Sequence, residues 1–214
     1  MNDRRGAFVV FEGLDGAGTS TQARLLAERL SRERPNLKVR STAEPTSGPI
    51  GSLIRQILQG RTVGMTARGE VIPFDRKSLA LLFAADRLDH VACEIDPLVQ
   101  AGWLVISDRY VWSSLAYQSI DAPMDWVDIV NRYAPQPDLV FALEVPASLG
   151  LARVDASRPG REIFEHEESQ NHVSIAYREA FKCHPAGRVV VLSGDRPPAE
   201  IAEDVWIAVR ELID

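Results

Sequence analysis

Five runs of β-branched and apolar residues punctuate the chain: "AFVVFE" at 7–12, "LKVRST" at 37–42, "WLVISD" at 103–108, "LVFALEV" at 139–145 and "RVVVLSG" at 188–194. Runs that are apolar on both faces read as strands of a parallel sheet covered on each side. Between them the spacing turns helical, as in Ala23, Leu26, Ala27 and Leu30, or Leu79, Leu82, Phe83, Ala85 and Leu88. Apolar residues three and four apart make one stripe along a helix, which must be buried against a neighbour. Strand and helix in alternation predict right-handed βαβ units. The expected fold is a three-layer α/β/α sandwich with a central five-stranded parallel sheet. No repeat or Pro/Gly-rich linker divides the chain, so residues 1–214 read as one domain. Two polar segments break the rhythm: 60–76, an insertion or long loop, and 157–171, a mobile surface element. Long loops in compact domains are often functional.

Composition narrows the classes. The net charge of −6 argues against a nucleic-acid coat or a membrane-surface protein. A phosphate site in this chain must therefore gather its positive charge locally. Cys93 and Cys183 lie far apart with no metal-ligand spacing, and read as packing residues in a reducing compartment. No apolar run approaches the ~18–20 residues needed to span a bilayer. The apolar run near the N-terminus is too short for a secretory signal, so the expected location is cytoplasmic.

"AFVVFE", "GLDGAGTST" and "QARLLAERL" read as strand, Gly-rich turn and helix, the context that makes a phosphate-binding loop credible. Gly13, Gly16 and Gly18 allow backbone angles closed to other residues. The amides of Ala17, Thr19, Ser20 and Thr21 can then face phosphate oxygens at a helix N-terminus. Ser20 stands where such loops place a magnesium-binding hydroxyl. The position expected to carry lysine is Thr19. Taken alone, the loop leaves open a Gly-rich turn without a ligand. A second strand end, "WLVISDRY", places Asp108 and Arg109 where ligands of open α/β sheets collect. Asp108 suits magnesium and Arg109 suits phosphate; an Asp–Arg pair capping the next helix is the plain alternative.

Four segments carry a resemblance: "FVVFEGLDGAG" (8–18), "LLFAADR" (81–87), "VISDRYVWSSLAYQ" (105–118) and "PDLVFALEVP" (137–146). In order and spacing the chain resembles thymidylate kinases of the P-loop nucleoside-monophosphate kinase family. The resemblance implies Mg²⁺-dependent phosphoryl transfer from ATP to dTMP, in a homodimer. It implies that Asp15 contacts the sugar of the monophosphate near the metal, and that Phe83 stacks on thymine. Arg87 would reach the acceptor phosphate or base edge, and Arg109 the acceptor phosphate. Ser114 and Gln118 would face the base, and Tyr117 the deoxyribose. Glu44 belongs to "TAEPTSGPIG", where Ala43 departs from the family's arginine.

Segment 157–162, "SRPGRE", resembles the family's lid, at about 155–171. Its Arg158 and Arg161 are the expected catalytic replacements for the missing loop charge, with Arg153 a third candidate. Family analogy sets adenine against "SGDRPPAE" (193–200). Two rival readings stay open: a kinase for another deoxynucleotide, and a catalytically degenerate nucleotide-binding or regulatory protein on the same fold. Thr19 and Ala43 favour the latter; Asp15, Arg87, Asp108 and Arg109 oppose it.

Overall fold

The computed structural model describes residues 5–157, 167–184 and 187–214. In chain order the elements are β1 (Ala7–Gly13), α1 (Thr19–Glu33), β2 (Val39–Ala43), α2 (Pro49–Leu58), β3 (Gly64–Met65), β4 (Val71–Ile72) and α3 (Arg76–His90). A π-turn at Val91–Ile95 continues α3 into α4 (Asp96–Gln100). Then follow β5 (Leu104–Asp108), α5 (Val111–Gln118), α6 (Met124–Asn131), β6 (Leu139–Glu144), α7 (Ala147–Ser157), α8 (Glu167–Cys183), β7 (Val189–Ser193) and α9 (Pro198–Ile213).

The five expected strands pair in parallel, in the order β2-β5-β1-β6-β7. Helices flank the sheet, as the alternating pattern requires. Val9, Val10 and Phe11 of β1 meet Val105 and Ile106 of β5 and Val140 and Phe141 of β6, all fully buried. Phe11 stacks on Phe141 with ring centroids 4.9 Å apart. The edge strands depart from the expectation of burial on both faces. Arg40 and Ser41 of β2 are exposed, and Val191 of β7 is 60% exposed. Helices cover the middle of a sheet first, so an edge strand can keep a solvated face.

Helix α3 also departs from its expected stripe. Its buried side carries Leu79, Ala80, Ala84, Asp86, Arg87 and His90, while Leu81 and Leu88 are exposed. Leu82 and Phe83 are half-buried against Ile54, Ile57 and Leu79, a small second core under α2. Polar side chains point inward here because they have partners there, described below. The 60–76 loop holds the short hairpin β3–β4, with Met65 and Val71 exposed. Both cysteines are exposed, correcting the packing assignment. Cys93 sits on the outer side of the π-turn, 3.5 Å from Asp89, and Cys183 lies in the last turn of α8.

Among the described residues, no helix is long and apolar enough to cross a membrane. Arg5 pairs with Asp138 just before β6, and Arg34 at the end of α1 pairs with Asp214 beyond α9. Most of the expected lid, including Arg158 and Arg161, lies outside the described residues.

Candidate active site

The sheet register brings the site together. Phe11 of β1 and Ala43 of β2 both lie opposite Asp108 of β5. Glu12, Glu44 and Arg109 therefore leave their strands side by side, at the carboxyl edge where α/β sheets bind ligands.

The phosphate loop follows β1. Gly16 and Gly18 have φ of +77° and +99°, a region L side chains rarely adopt. Gly16 is also pressed against α7, where an added Cβ would lie 2.2 Å from the Gly150 carbonyl oxygen. Gly13 ends β1 under a similar constraint, its Cβ position 2.6 Å from the Leu143 carbonyl oxygen. Ala17 and Thr19 are buried, Thr21 half-buried and Ser20 exposed. Helix α1 starts at Thr19 with no side chain capping its N-terminus. Its first N–H groups lack helical partners and point out with the positive end of the dipole, ready for an anion.

Beside the loop, the Ser20 hydroxyl donates to Asp108 Oδ2. Asp108 Oδ1 is buried with no hydrogen-bond partner. Leaving a buried carboxylate oxygen unpaired is costly. A hydroxyl and an open carboxylate oxygen next to a phosphate cradle fit Mg²⁺, which takes few protein oxygens and fills its octahedron with water and phosphate.

On the other side of Asp15 lies a pocket of about 140 Å³. Its lining includes Asp15, Glu44, Phe83, Arg87, Arg109, Ser114, Tyr117 and Gln118. Sequence reasoning did not single out four further lining residues, Pro45, Leu58, Tyr110 and Ser113. Ser113, in the first turn of α5, accepts from Arg109 Nη1 at 3.3 Å.

Arg109 is held at the junction between pocket and loop. It is the non-glycine residue at φ +73°, a conformation costing ~1–3 kcal/mol that surrounding contacts must enforce. Its N–H donates to the Phe11 carbonyl at 2.8 Å, and Ser107 Oγ donates to its carbonyl at 2.8 Å. Nη2 then reaches Asp15 Oδ1 at 2.6 Å and Nη1 the Gly13 carbonyl at 3.1 Å, with the guanidinium over the Tyr117 ring. Burial opposes this charge, but Tyr117 and Asp15 leave the Arg109 pKa well above its ordinary value. The other Asp15 oxygen accepts from Gln170 Nε2 of α8 at 3.1 Å.

Arg87, expected at the acceptor phosphate or the base edge, lines the pocket. It is 1% exposed and held by protein partners. They are Glu44 Oε2 (2.8 Å from Nη2), Asn131 Oδ1, the Tyr110 carbonyl (3.0 Å) and Ser114 Oγ (3.0 Å). Glu44 Oε1 lies 3.0 Å from His90 Nδ1. Asp86 accepts from the Thr46 amide and hydroxyl, each at 2.7 Å, fixing the 44–48 loop to α3. Arg87 and Ser114 thus build the pocket wall. In contrast, Gln118 Oε1 is buried without a hydrogen-bond partner, an acceptor left open in the pocket.

Beneath the pocket, Glu12 is fully buried and accepts from the Tyr110 amide (2.8 Å), Ser113 Oγ (2.6 Å) and Tyr177 Oη (3.1 Å). Burial raises the pKa of Glu12, outweighing the lowering by Ser113 and Arg109. Tyr177 Oη also lies 3.0 Å from the Gly13 carbonyl, an alternative acceptor for its one hydrogen, which sets α8 against the phosphate loop. Burial raises the pKa of Tyr117 and Tyr177, so both stay neutral donors. Arg196 turns away from the loop to Asp204, at 2.7 Å.

Residues 11–205 match the sequence profile of the family described as thymidylate kinase. A probable thymidylate kinase of Thermococcus kodakarensis is 40% identical over 86% of this chain and 88% of its own. One from Pyrobaculum aerophilum is 38% identical over 97% of this chain and 98% of its own. One from Methanococcus maripaludis is 41% identical over 79% of this chain and 75% of its own. A Gly-rich loop before an uncapped helix N-terminus, an oxygen pair suited to Mg²⁺ and a pocket reached by Asp15 and Arg109 sit within a match that covers nearly the whole chain. The chain belongs to the thymidylate kinase family.

Proposed function

We propose that this chain transfers the γ-phosphoryl group of ATP to dTMP, giving dTDP, as one catalytic unit spanning residues 1–214. The observation that carries the reading is the pocket beside the phosphate loop. Phe83 offers a ring on a packed base, Gln118 Oε1 offers an open acceptor, and Arg109 holds a cation between pocket and loop. Thymine has a ring face for Phe83 and an N3–H for Gln118. Cytosine has no hydrogen on N3 to give.

Phosphoryl transfer asks a protein for alignment and charge neutralisation rather than a nucleophile. The loop amides of residues 16–20 hold the donor phosphates, apart from that of Ala17, which donates to the Leu14 carbonyl at 3.0 Å. Arg109 draws the acceptor phosphate toward them, fixed in place by Asp15. Tyr117 donates to or packs against the sugar while its ring supports the Arg109 charge. Ser20 and Asp108 would hold Mg²⁺, which when bound neutralises charge on the donor phosphates. Arg87, Ser114 and Glu44 keep the wall rigid, so the acceptor meets a preformed site.

Two further assignments belong to this reading. The chain works as a homodimer, with the exposed Leu81 and Leu88 of α3 in the subunit contact. It works in the cytoplasm, where its two exposed free cysteines remain reduced.

Coupled ADP release with Mg-ATP tests the reading, with dTMP, dUMP, dGMP and thymidine as acceptors and a no-acceptor control. The expected result is turnover that depends on dTMP and falls with the other acceptors. Preference for dGMP or thymidine would overturn the base assignment. Binding of both nucleotides without turnover would mark a degenerate kinase.

A further inference from the structure

The phosphate loop lacks a cation of its own, yet one reaches it from α7. Two backbones meet at this point. A Cβ on Gly16 would lie 2.2 Å from the Gly150 carbonyl oxygen, and a Cβ on Gly150 would lie 2.5 Å from that of Asp15. Helix α7 is therefore seated directly on the loop, and its next turn carries Arg153. Arg153 Nη1 donates to the Gly16 carbonyl at 3.2 Å and to the Gly194 carbonyl at 2.8 Å. Gly194 is pressed on the loop in turn, its Cβ position 2.8 Å from the Ala17 carbonyl oxygen.

The second arginine on the loop behaves differently. Arg109 donates to the Gly13 carbonyl, but its charge is paired with Asp15 at 2.6 Å. Arg153 pairs with no carboxylate among the described residues, so none of them neutralises its charge at the loop. A cation bonded to the Gly16 carbonyl adds positive charge to the loop itself, although the Ala17 N–H of the same peptide unit donates to the Leu14 carbonyl at 3.0 Å. Among the described residues, the hydrogen bonds of Arg153 are made through Nη1. Chain-specific chemistry makes this matter, because Thr19 is neutral and 5% exposed.

The geometry points to Arg153 as the residue that supplies the missing loop charge, positioning and electrostatically strengthening the site for the triphosphate of ATP. The inference rests on the ATP site of the proposed function. It assigns the charge to a helix packed on the loop, putting first the residue that the sequence ranked third, after Arg158 and Arg161.

Mg-ATP binding to the full-length protein, measured by titration calorimetry, tests it, with melting temperature recorded for every variant. Arg153→Gln keeps a hydrogen-bond donor and loses the charge; Arg153→Lys keeps the charge. The expected result is Kd weakened about tenfold or more in Arg153→Gln, the scale of a charge-assisted contact, and largely retained in Arg153→Lys. In a Thr19→Lys background the loss from Arg153→Gln should shrink to less than about threefold, because the loop then has its own cation. Equal losses in both backgrounds would overturn the assignment. So would a Kd change that appears only with a fall in melting temperature, or equal behaviour of the Gln and Lys variants. Failure of dTMP-dependent turnover in the unmodified chain would instead overturn the proposed function, and is read separately. Absence of Mg-ATP binding in the unmodified chain would overturn both.

Discussion

Replacing Arg87 by methionine separates a wall residue from a ligand-binding one. Methionine keeps much of the buried volume, so the main loss is the cation. Glu44 would stay buried with His90 as its remaining side-chain partner, 3.0 Å away. The Tyr110 carbonyl, Asn131 and Ser114 would lose their contacts with the guanidinium. Removing one member of a buried ion pair costs ~3–5 kcal/mol, because the other charge is left uncompensated. Unfolding a chain of 214 residues carries an entropy near 0.45 kcal/mol/K, at ~2.1 cal/mol/K per residue. The expected fall in Tm is therefore about 7–11 °C. Urea denaturation should show the same loss in free energy. The double variant Glu44→Gln with Arg87→Met should recover a large part of it, because no unpaired charge remains. A loss under ~1 kcal/mol, with the change confined to the KM for dTMP, would refute the reasoning. Arg87 would then return to the acceptor-phosphate or base-edge role implied by the resemblance.

Asp108→Asn removes the open carboxylate oxygen beside Ser20, and should raise the Mg²⁺ concentration for half-maximal turnover by ~10–100-fold. An unchanged Mg²⁺ titration would remove Asp108 from the metal site. Glu12 has its pKa raised by burial, so the folded state holds its proton more tightly than the unfolded state. Its contribution is fully present below the unfolded carboxyl pKa and is lost as pH rises through the folded value. Glu12→Gln should therefore become more stable relative to the unmodified chain as pH rises above the ordinary carboxyl range. Melting curves above that range with the opposite trend would sink the assignment.

Much of the fold is legible because burial in the central strands leaves few choices. "AFVVFE" has no polar face to show, and β1 is covered on both sides. The edge strands read less well, since Val191 is as apolar as Val140 but lies where cover ends. Helix α3 misleads for a physical reason: periodicity assumes that charge faces water. Asp86, Arg87 and His90 face inward because Thr46, Glu44 and Asn131 meet them there, and those partners are distant in sequence. The pocket residues stand in motifs at strand ends, so Phe83, Arg109 and Gln118 could be picked out and the structure gathers them. Glu12 and Tyr177 could not, because no spacing signals a contact across 165 positions. Arg153 ranked third in the sequence, behind Arg158 and Arg161, because nothing in the spacing told that the packing of α7 sets it against Gly16.

The parallel sheet has a practical polarity. Every strand delivers its loop to the nucleotide end, and the helices carry the chain back. Arg5 lies at the start of β1, paired with Asp138. Asp214 lies beside Arg34, a full length of α1 away from the phosphate loop, or ~22 Å for a helix of that size. Tethering the protein to a bead, a sensor surface or a fused partner through either of these residues leaves the mouth of the site facing away from the support. Immobilised protein should accordingly bind nucleotides as freely as protein in solution.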